Sequence, residues 1–298
     1  MIALMNEVAT FEQHRSLLFA IAYRMLGGVA EAEDMVQETF LRWCRQAGEE
    51  IESAKALLTT IITRLCIDHL KSARHQREQY VGVWLPEPLL DSDENDPAKA
   101  AELADSLTNA FMLLVETLSP VERAVFLLHE VFDYDYSEVS EIVGKSEANC
   151  RQMAVRARAH LAARRPRFDA DAEHAEQLLN RFLLASHQGD SRALLDLLTE
   201  DAAIYSDGGG KVTASRSPIR GAERVARFFV NIRRLYRRVQ ADIQVRLTTI
   251  NAEPGLLVFL NGNLEQSMTF EVADDRIRAV YIVRNPDKLK HLRKEIET

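Results

Sequence analysis

Apolar residues recur along this chain in two rhythms. From residue 7 to 77, and again from 108 to 161, they return every three or four positions. Between residues 202 and 283 they mostly alternate with polar ones. The first rhythm predicts helices and the second predicts strands. Phe11, Leu17, Leu18, Ile21, Ala22, Met25 and Leu26 mark one amphipathic helix, interrupted by Gly27 and Gly28. A second helix covers about 31–46, with acids at its start, where the helix dipole favours them. A third covers 54–77, with Leu57, Leu58, Ile61, Ile62, Leu65 and Leu70 on one side. Phe111, Leu114, Val115 and Leu118 make a fourth. Ser119 and Pro120 open a fifth, serine as cap and proline at the first helical position.

Residues 136–161, YSEVSEIVGKSEANCRQMAVRARAHL, read as two short helices with a tight turn. Val139, Ile142 and Val143 face inward on the first. Gly144 ends it, because glycine accepts a left-handed C-terminal stop. Ser146 can cap the second, whose stripe is Cys150, Met153, Ala154, Ala157 and Leu161. Its other face carries Asn149, Arg151, Gln152, Arg156 and Arg158, side chains suited to base edges and phosphates. The pattern is a helix-turn-helix with a candidate recognition helix. A helical hairpin with a solvated basic face would show the same spacing, so local charge matters. Residues 145–167 carry net +6 in a chain of net −8, and clusters of this kind drive binding to anionic backbones. Residues 63–77 form a second basic stretch, with four Lys/Arg and one acid.

Residues 78–107 hold three prolines and an acidic run, which reads as a linker with no helix before Pro97. Trp84 beside Leu85 needs a place to dock. From residue 172 a different domain begins. Helices are expected at 176–184, 191–198 and 222–235. Strands are expected at 202–207, 211–216, 240–250, 255–262, 266–273 and 276–283. Helices followed by a curved antiparallel sheet make an α+β cone.

The 298 residues suffice for two or three domains, and 47% are hydrophobic. No apolar run is long enough to span a membrane, and the N-terminus lacks the pattern of a secretion signal. Cys44, Cys66 and Cys150 lie far apart on helix faces, which suggests reduced thiols and a cytoplasmic protein. No Cys/His spacing suggests a metal, and no cofactor is expected. Gly208-Gly209-Gly210-Lys211 lacks the glycine spacing and the following Ser/Thr of a nucleotide loop.

Two helical modules joined by a linker, the second a helix-turn-helix, resemble the extracytoplasmic-function sigma factors of RNA polymerase. AEDMVQETFLRW at 32–43 looks like the segment that grips the polymerase clamp helices. ALLTTIITRLCIDHLKSAR at 56–74 resembles the part that melts and reads the −10 element. Residues 118–161 resemble the −35-reading domain. The remaining third resembles the SnoaL-like, nuclear-transport-factor-type fold. A subgroup of these sigma factors carries such an extension and is marked by three motifs, all present here: WLPEP at 84–88, DGGGK at 207–211 and NPDKL at 285–289.

The resemblance implies a multidomain protein. Two all-α modules (7–77 and 108–166), joined by the linker at 78–107, precede an α+β SnoaL-like domain at 172–298. It implies a sigma factor, not an enzyme, with core RNA polymerase (clamp helices of the largest subunit, and flap) and promoter DNA as partners. Asp34, Gln37, Glu38, Phe40 and Leu41 would hold polymerase. Arg64, Asp68, His69, Lys71 and Arg74 would contact the −10 element; no aromatic platform stands in 54–77, so bases would be trapped singly. Arg151, Gln152 and Val155 would face the −35 major groove, with Ser146, Asn149 and Arg156 near phosphates.

For the third domain two readings stand side by side. In the regulatory one, the domain binds the linker through Trp84, Leu85, Pro86, Glu87, Pro88, Asp207, Gly208, Gly209, Gly210, Lys211, Asn285, Pro286, Asp287, Lys288 and Leu289. DGGGK is then a hairpin turn, and no separate anti-sigma protein is needed. In the other, the cone holds a small-molecule ligand or vestigial chemistry, with Tyr205, Asp207, Asp242 and Tyr281 as candidate acid/base groups.

Overall fold

The computed structural model describes residues 2–46, 51–78, 80–90, 105–162 and 172–297, with side chains described for 7–46, 51–72, 80–90, 106–161 and 174–293. Contacts divide the chain into two compact units. One combines residues 1–79 with 111–165, and the other combines 80–110 with 166–298.

In the first unit, α1 (Ile2–Leu26), α2 (Val29–Arg45) and α3 (Ala54–Glu78) form the first module. Tyr23, Leu18, Ile21, Leu58 and Ile62 are fully buried among them. The second module contains α4 (Asn109–Glu116), α5 (Pro120–Glu130), α6 (Tyr136–Val143) and α7 (Glu147–Ala162). The expected cap at Ser119 is a full capping box with Glu122. Gly144 takes φ 66°, the left-handed stop expected of it. Cys150, Met153, Ala154, Ala157 and Leu161 are all buried. The modules interlock through buried polar groups. Arg123 donates to the Met25 carbonyl at 2.6 Å, and Thr59 pairs with the Tyr134 hydroxyl at 2.9 Å.

The second unit has α8 (Ala172–Gln188) and α9 (Ser191–Asp196), then β1 (Leu198–Asp207), β2 (Ile219–Arg220) and α10 (Ala222–Arg238). β3 (Ile243–Ile250), β4 (Glu253–Leu260), β5 (Asn263–Ala273), β6 (Arg276–Val283) and α11 (Lys290–Glu297) follow. The sheet order is β2-β1-β6-β5-β4-β3. β1 runs parallel to β6 and the other pairings are antiparallel, so the sheet is mixed.

The strand expected at 211–216 does not form. Residues 211–213 are exposed on both faces, so their alternation has no core to face. Ile219–Arg220 instead pairs with Ala203 and Ile204. DGGGK is therefore a turn that leads into irregular chain, not a hairpin turn. The linker at 91–104 and the tail at 163–171 lie outside the described residues.

Side chains alternate across the sheet. One face, with Ile204, Leu256, Val258, Met268, Phe270, Val280 and Ile282, packs on α8, α9 and α10. At its centre Phe182 meets Phe229 and Phe270 edge-on, at 4.8 and 5.3 Å. Phe182→Ala is expected to lower unfolding stability by about 3–5 kcal/mol. Urea denaturation followed by circular dichroism reads this, and a change below 1 kcal/mol (roughly one methylene's worth) would contradict the packing described.

Candidate nucleic-acid interface

On α2 the buried stripe is Ala32, Val36, Thr39 and Trp43, whose indole donates to the Glu7 carbonyl at 3.0 Å. Opposite lie Asp34, Gln37 and Leu41, exposed at i, i+3 and i+7. These three form one continuous exposed surface. Glu38 pairs with Arg42 at 2.9 Å, and Phe40 packs edge-on against Phe11 at 4.9 Å. Phe40 thus works partly as core.

On α3 Asp68 and Lys71 form an exposed ion pair at 3.1 Å. His69 faces Glu31 at 3.3 Å, and the Arg74 side chain lies outside the described residues. Arg64 is engaged elsewhere. Its guanidinium donates to the carbonyls of Ile142 and Glu141, each at 2.9 Å. Those carbonyls belong to the last turn of α6, where helix oxygens have no intrahelical partner and the dipole attracts a cation. Beside it a groove is lined by Arg42, Arg45, Leu57, Thr60, Ile61 and Arg64.

On α7 the Ser146 hydroxyl accepts from the Asn149 N–H at 3.4 Å, as its capping role requires. Asn149, Arg151, Gln152, Val155 and Arg156 are exposed together on one face. Arg151 pairs with Glu147 and lies 4.9 Å over the Tyr136 ring. Arg156 faces Glu122 at 3.3 Å, and Arg158 binds Glu130 at 2.7 Å and the Tyr136 hydroxyl at 3.1 Å. The periodicity did not reveal these acids and Tyr136, because each acid that faces Arg156 or Arg158 comes from α5 and not from α7.

The three motifs meet in the second unit, on the other face of the sheet. Asp207, the last residue of β1, is fully buried. Its carboxylate accepts from Lys288 Nζ at 2.8 Å, the Leu85 N–H at 2.9 Å, the Gly209 N–H at 2.9 Å and the Tyr80 hydroxyl. Its own carbonyl accepts from the N–H groups of Arg284 and Asn285. Lys288 also donates to the Leu85 carbonyl and lies 4.4 Å over the Trp84 ring. Asn285 donates to the Tyr80 hydroxyl at 3.1 Å, and Lys211 pairs with Asp287. Lys211 and Lys290 hold the Asp287 carboxyl below its usual range. Burial, and then the bond to Asp207, push the Tyr80 phenol up.

The glycines are steric necessities. Gly209 has φ 60°, and a Cβ there would sit 2.3 Å from the Asn285 amide nitrogen. A Cβ on Gly208 would meet the Val212 carbonyl oxygen at 2.5 Å. Leu85, Pro86 and Pro88 are buried, as is Leu289. His291 binds the Pro88 carbonyl at 2.6 Å and lies 4.0 Å from Glu87. Pro286 is half-buried beside this cluster. Tyr80 escapes the sequence motifs, since it stands four residues before WLPEP.

Farther along the same face, Leu89 exchanges hydrogen bonds with Asn251, and the Asn109 N–H donates to Glu253 at 3.0 Å. The Asn109 side chain donates to Thr269 at 2.7 Å, and Tyr281 donates to Glu271 at 2.7 Å. The four acid/base candidates do not converge. Tyr205 stacks on Tyr281 at 5.2 Å, while the Asp207 carboxylate is taken up by Tyr80, Leu85, Gly209 and Lys288. Asp242 is exposed just before edge strand β3, four strand positions from β1, or about 19 Å.

Residues 10–76 match Sigma-70 region 2, and residues 108–161 match Sigma-70, region 4. The chain is 35% identical over 291 residues to the ECF RNA polymerase sigma factor SigJ of Mycobacterium tuberculosis, covering 95% of this chain and 93% of the relative. It is 30% identical over 295 residues to a protein of the same species named "Probable ECF RNA polymerase sigma factor SigI", covering 97% and 96%. The crystal structure of M. tuberculosis SigJ superposes with a TM-score of 0.75 at 32% identity, covering 95% of this chain and 98% of that one.

Burial first, and then the nearby Glu271, raise the Glu253 carboxyl from 4.5 to about 8, against the opposing bond from Asn109. Arg278 and Tyr281 attend Glu271, not Glu253. Between those values the folded chain keeps a proton that the unfolded chain has lost, so stability falls as pH rises from 4.5 to about 8. Glu253→Gln, which stays neutral, is expected to flatten that part of the stability-versus-pH curve. Parallel slopes for both proteins in urea titrations would refute the assignment.

Proposed function

The chain belongs to the extracytoplasmic-function RNA polymerase sigma factors, and from that premise we propose that its C-terminal domain regulates it from within by holding the linker. The chain binds core RNA polymerase and promoter DNA and directs promoter-specific initiation. The observation that carries the regulatory reading is Asp207. One buried carboxylate binds Tyr80 and the Leu85 N–H of the linker, and is held by Lys288 of the last motif. The held segments, 80–90 and 106–110, continue directly into α3 and α4. Whatever holds them limits how far the −10 and −35 readers separate.

The assignment of surfaces follows the same reading. Asp34, Gln37 and Leu41 are the exposed contact to the polymerase clamp helices, with Glu38 and Phe40 supporting the helix. Region 4 meets the flap. Arg151, Gln152 and Val155 face the −35 groove, and Ser146, Asn149 and Arg156 face phosphates. Asp68, His69, Lys71 and Arg74 serve the −10 element, joined by Arg64 once its bonds to the α6 carbonyls open. The protein works in the cytoplasm without a separate anti-sigma factor, since the linker clamp is internal. No helix among the described residues is long and apolar enough to cross a membrane. A small-molecule sensor is the weaker alternative, because Phe182, Phe229 and Phe270 fill the centre of the helix-side face.

Two measurements test this. In transcription assays with core polymerase, the Asp207→Asn/Lys288→Met double variant is expected to change promoter output several-fold relative to the full chain, with region-2 folding intact. Equal output would remove the regulatory reading. Separately, Asp34→Lys/Gln37→Lys is expected to abolish pull-down of core polymerase while leaving the circular dichroism spectrum unchanged. Undiminished pull-down would place the polymerase contact elsewhere.

A further inference from the structure

Helix α10 of the C-terminal domain carries six arginines and one acid, Glu223. From residue 216 to residue 246 there are nine arginines and two acids, net +7 in a chain of net −8. The buried side of α10 is Val225, Ala226, Phe229 and Val230. Arg233 donates to the His187 carbonyl at 3.1 Å and meets its ring at 3.0 Å, tying α10 to α8. Arg237 reaches the same carbonyl at 3.4 Å.

The other four arginines have no such task. Arg224, Arg227, Arg234 and Arg238 are exposed, and among the described residues none has an ion-pair partner. With Asn231 they lie at i, i+3, i+7, i+10 and i+14, a single stripe up the helix. At 1.5 Å per residue the stripe is about 21 Å long.

We propose that this stripe is a second docking surface for the phosphate backbone of duplex DNA, separate from both helical modules. Four unpaired like charges on one face repel each other and gain only when an anion lies along them. A run of about 21 Å spans roughly six base-pair steps of duplex, enough for several phosphates. Every cation in it is arginine, whose planar fork binds phosphate with two parallel bonds. A protein partner would need an apolar centre. The exposed apolar residues here, Leu235 and Val239, sit only toward the C-terminal end, away from Arg224 and Arg227. The domain is tethered to modules that already bind promoter DNA, so weak phosphate contacts act at high effective concentration.

The test uses the full chain and a labelled duplex of arbitrary sequence, with binding followed by fluorescence anisotropy across a salt titration. Replacing Arg224, Arg227, Arg234 and Arg238 together by Gln is expected to lower the slope of log affinity against log salt by about 3–4. The corresponding four-Lys variant should keep the wild-type slope, since phosphate contacts need charge first. All four side chains are exposed, so the melting temperatures should agree. Arg151→Ala/Arg156→Ala should lower the slope independently, which separates the region-4 contact from this one. An unchanged slope in the four-Gln variant would overturn the proposal. So would an unchanged slope with lost binding of core polymerase, which would assign the stripe to an acidic protein surface.

Discussion

The second unit is organised by one buried carboxylate. Asp207 ends a strand with no exposure to solvent, and an ionised carboxylate there requires a cation and several donors. Lys288 brings the charge, and Tyr80, Leu85 and Gly209 bring the donors. The net worth of such a pair is small, because desolvating both ions offsets most of their attraction. Removing one partner alone is a different matter, and typically costs about 3–5 kcal/mol. What the pair does show is where the linker is held. The backbone N–H and carbonyl of Leu85 complete the site, one on Asp207 and the other on Lys288.

That constraint explains the shape of the sheet's chemistry. The strands show apolar residues to the helices, while the opposite side mixes polar residues such as Glu253, Thr269 and Glu271 with apolar ones such as Leu257 and Val283. A polar sheet face usually meets water. Here it meets residues 80–90 and 106–110, so Asp207, Glu253, Thr269 and Glu271 are buried and bonded instead. The cost of burial falls most visibly on Glu253, whose carboxyl is shifted toward the neutral form.

In the first unit, electrostatics holds several arginines of α3 and α7 in a paired state. Arg64 binds the end of α6, Arg151 binds Glu147, and Arg158 binds Glu130. Exposed ion pairs such as Arg151–Glu147 are weak, about 0–1 kcal/mol each. They hold side chains in place yet are easily broken. The arginines of α10 contrast with these, since among the described residues no acid pairs with them.

The helices, the cap at Ser119, the glycine stop at Gly144 and the buried stripe of α7 were legible in the sequence, because each depends on neighbours within four residues. The α+β character of residues 172–297 was legible from alternation alone. The absence of a strand at 211–216 was not, because alternation is silent about whether a partner face exists. WLPEP, DGGGK and NPDKL could be picked out as motifs and expected to hold the linker, but not the atom at which they meet. Their meeting at Asp207, the part played by Tyr80, and the capture of Arg64 by α6 all bring together residues more than seventy positions apart. Local pattern determines which elements form. Only the tertiary structure decides which buried charge finds which donor, since that depends on distances between elements that no spacing along the chain encodes.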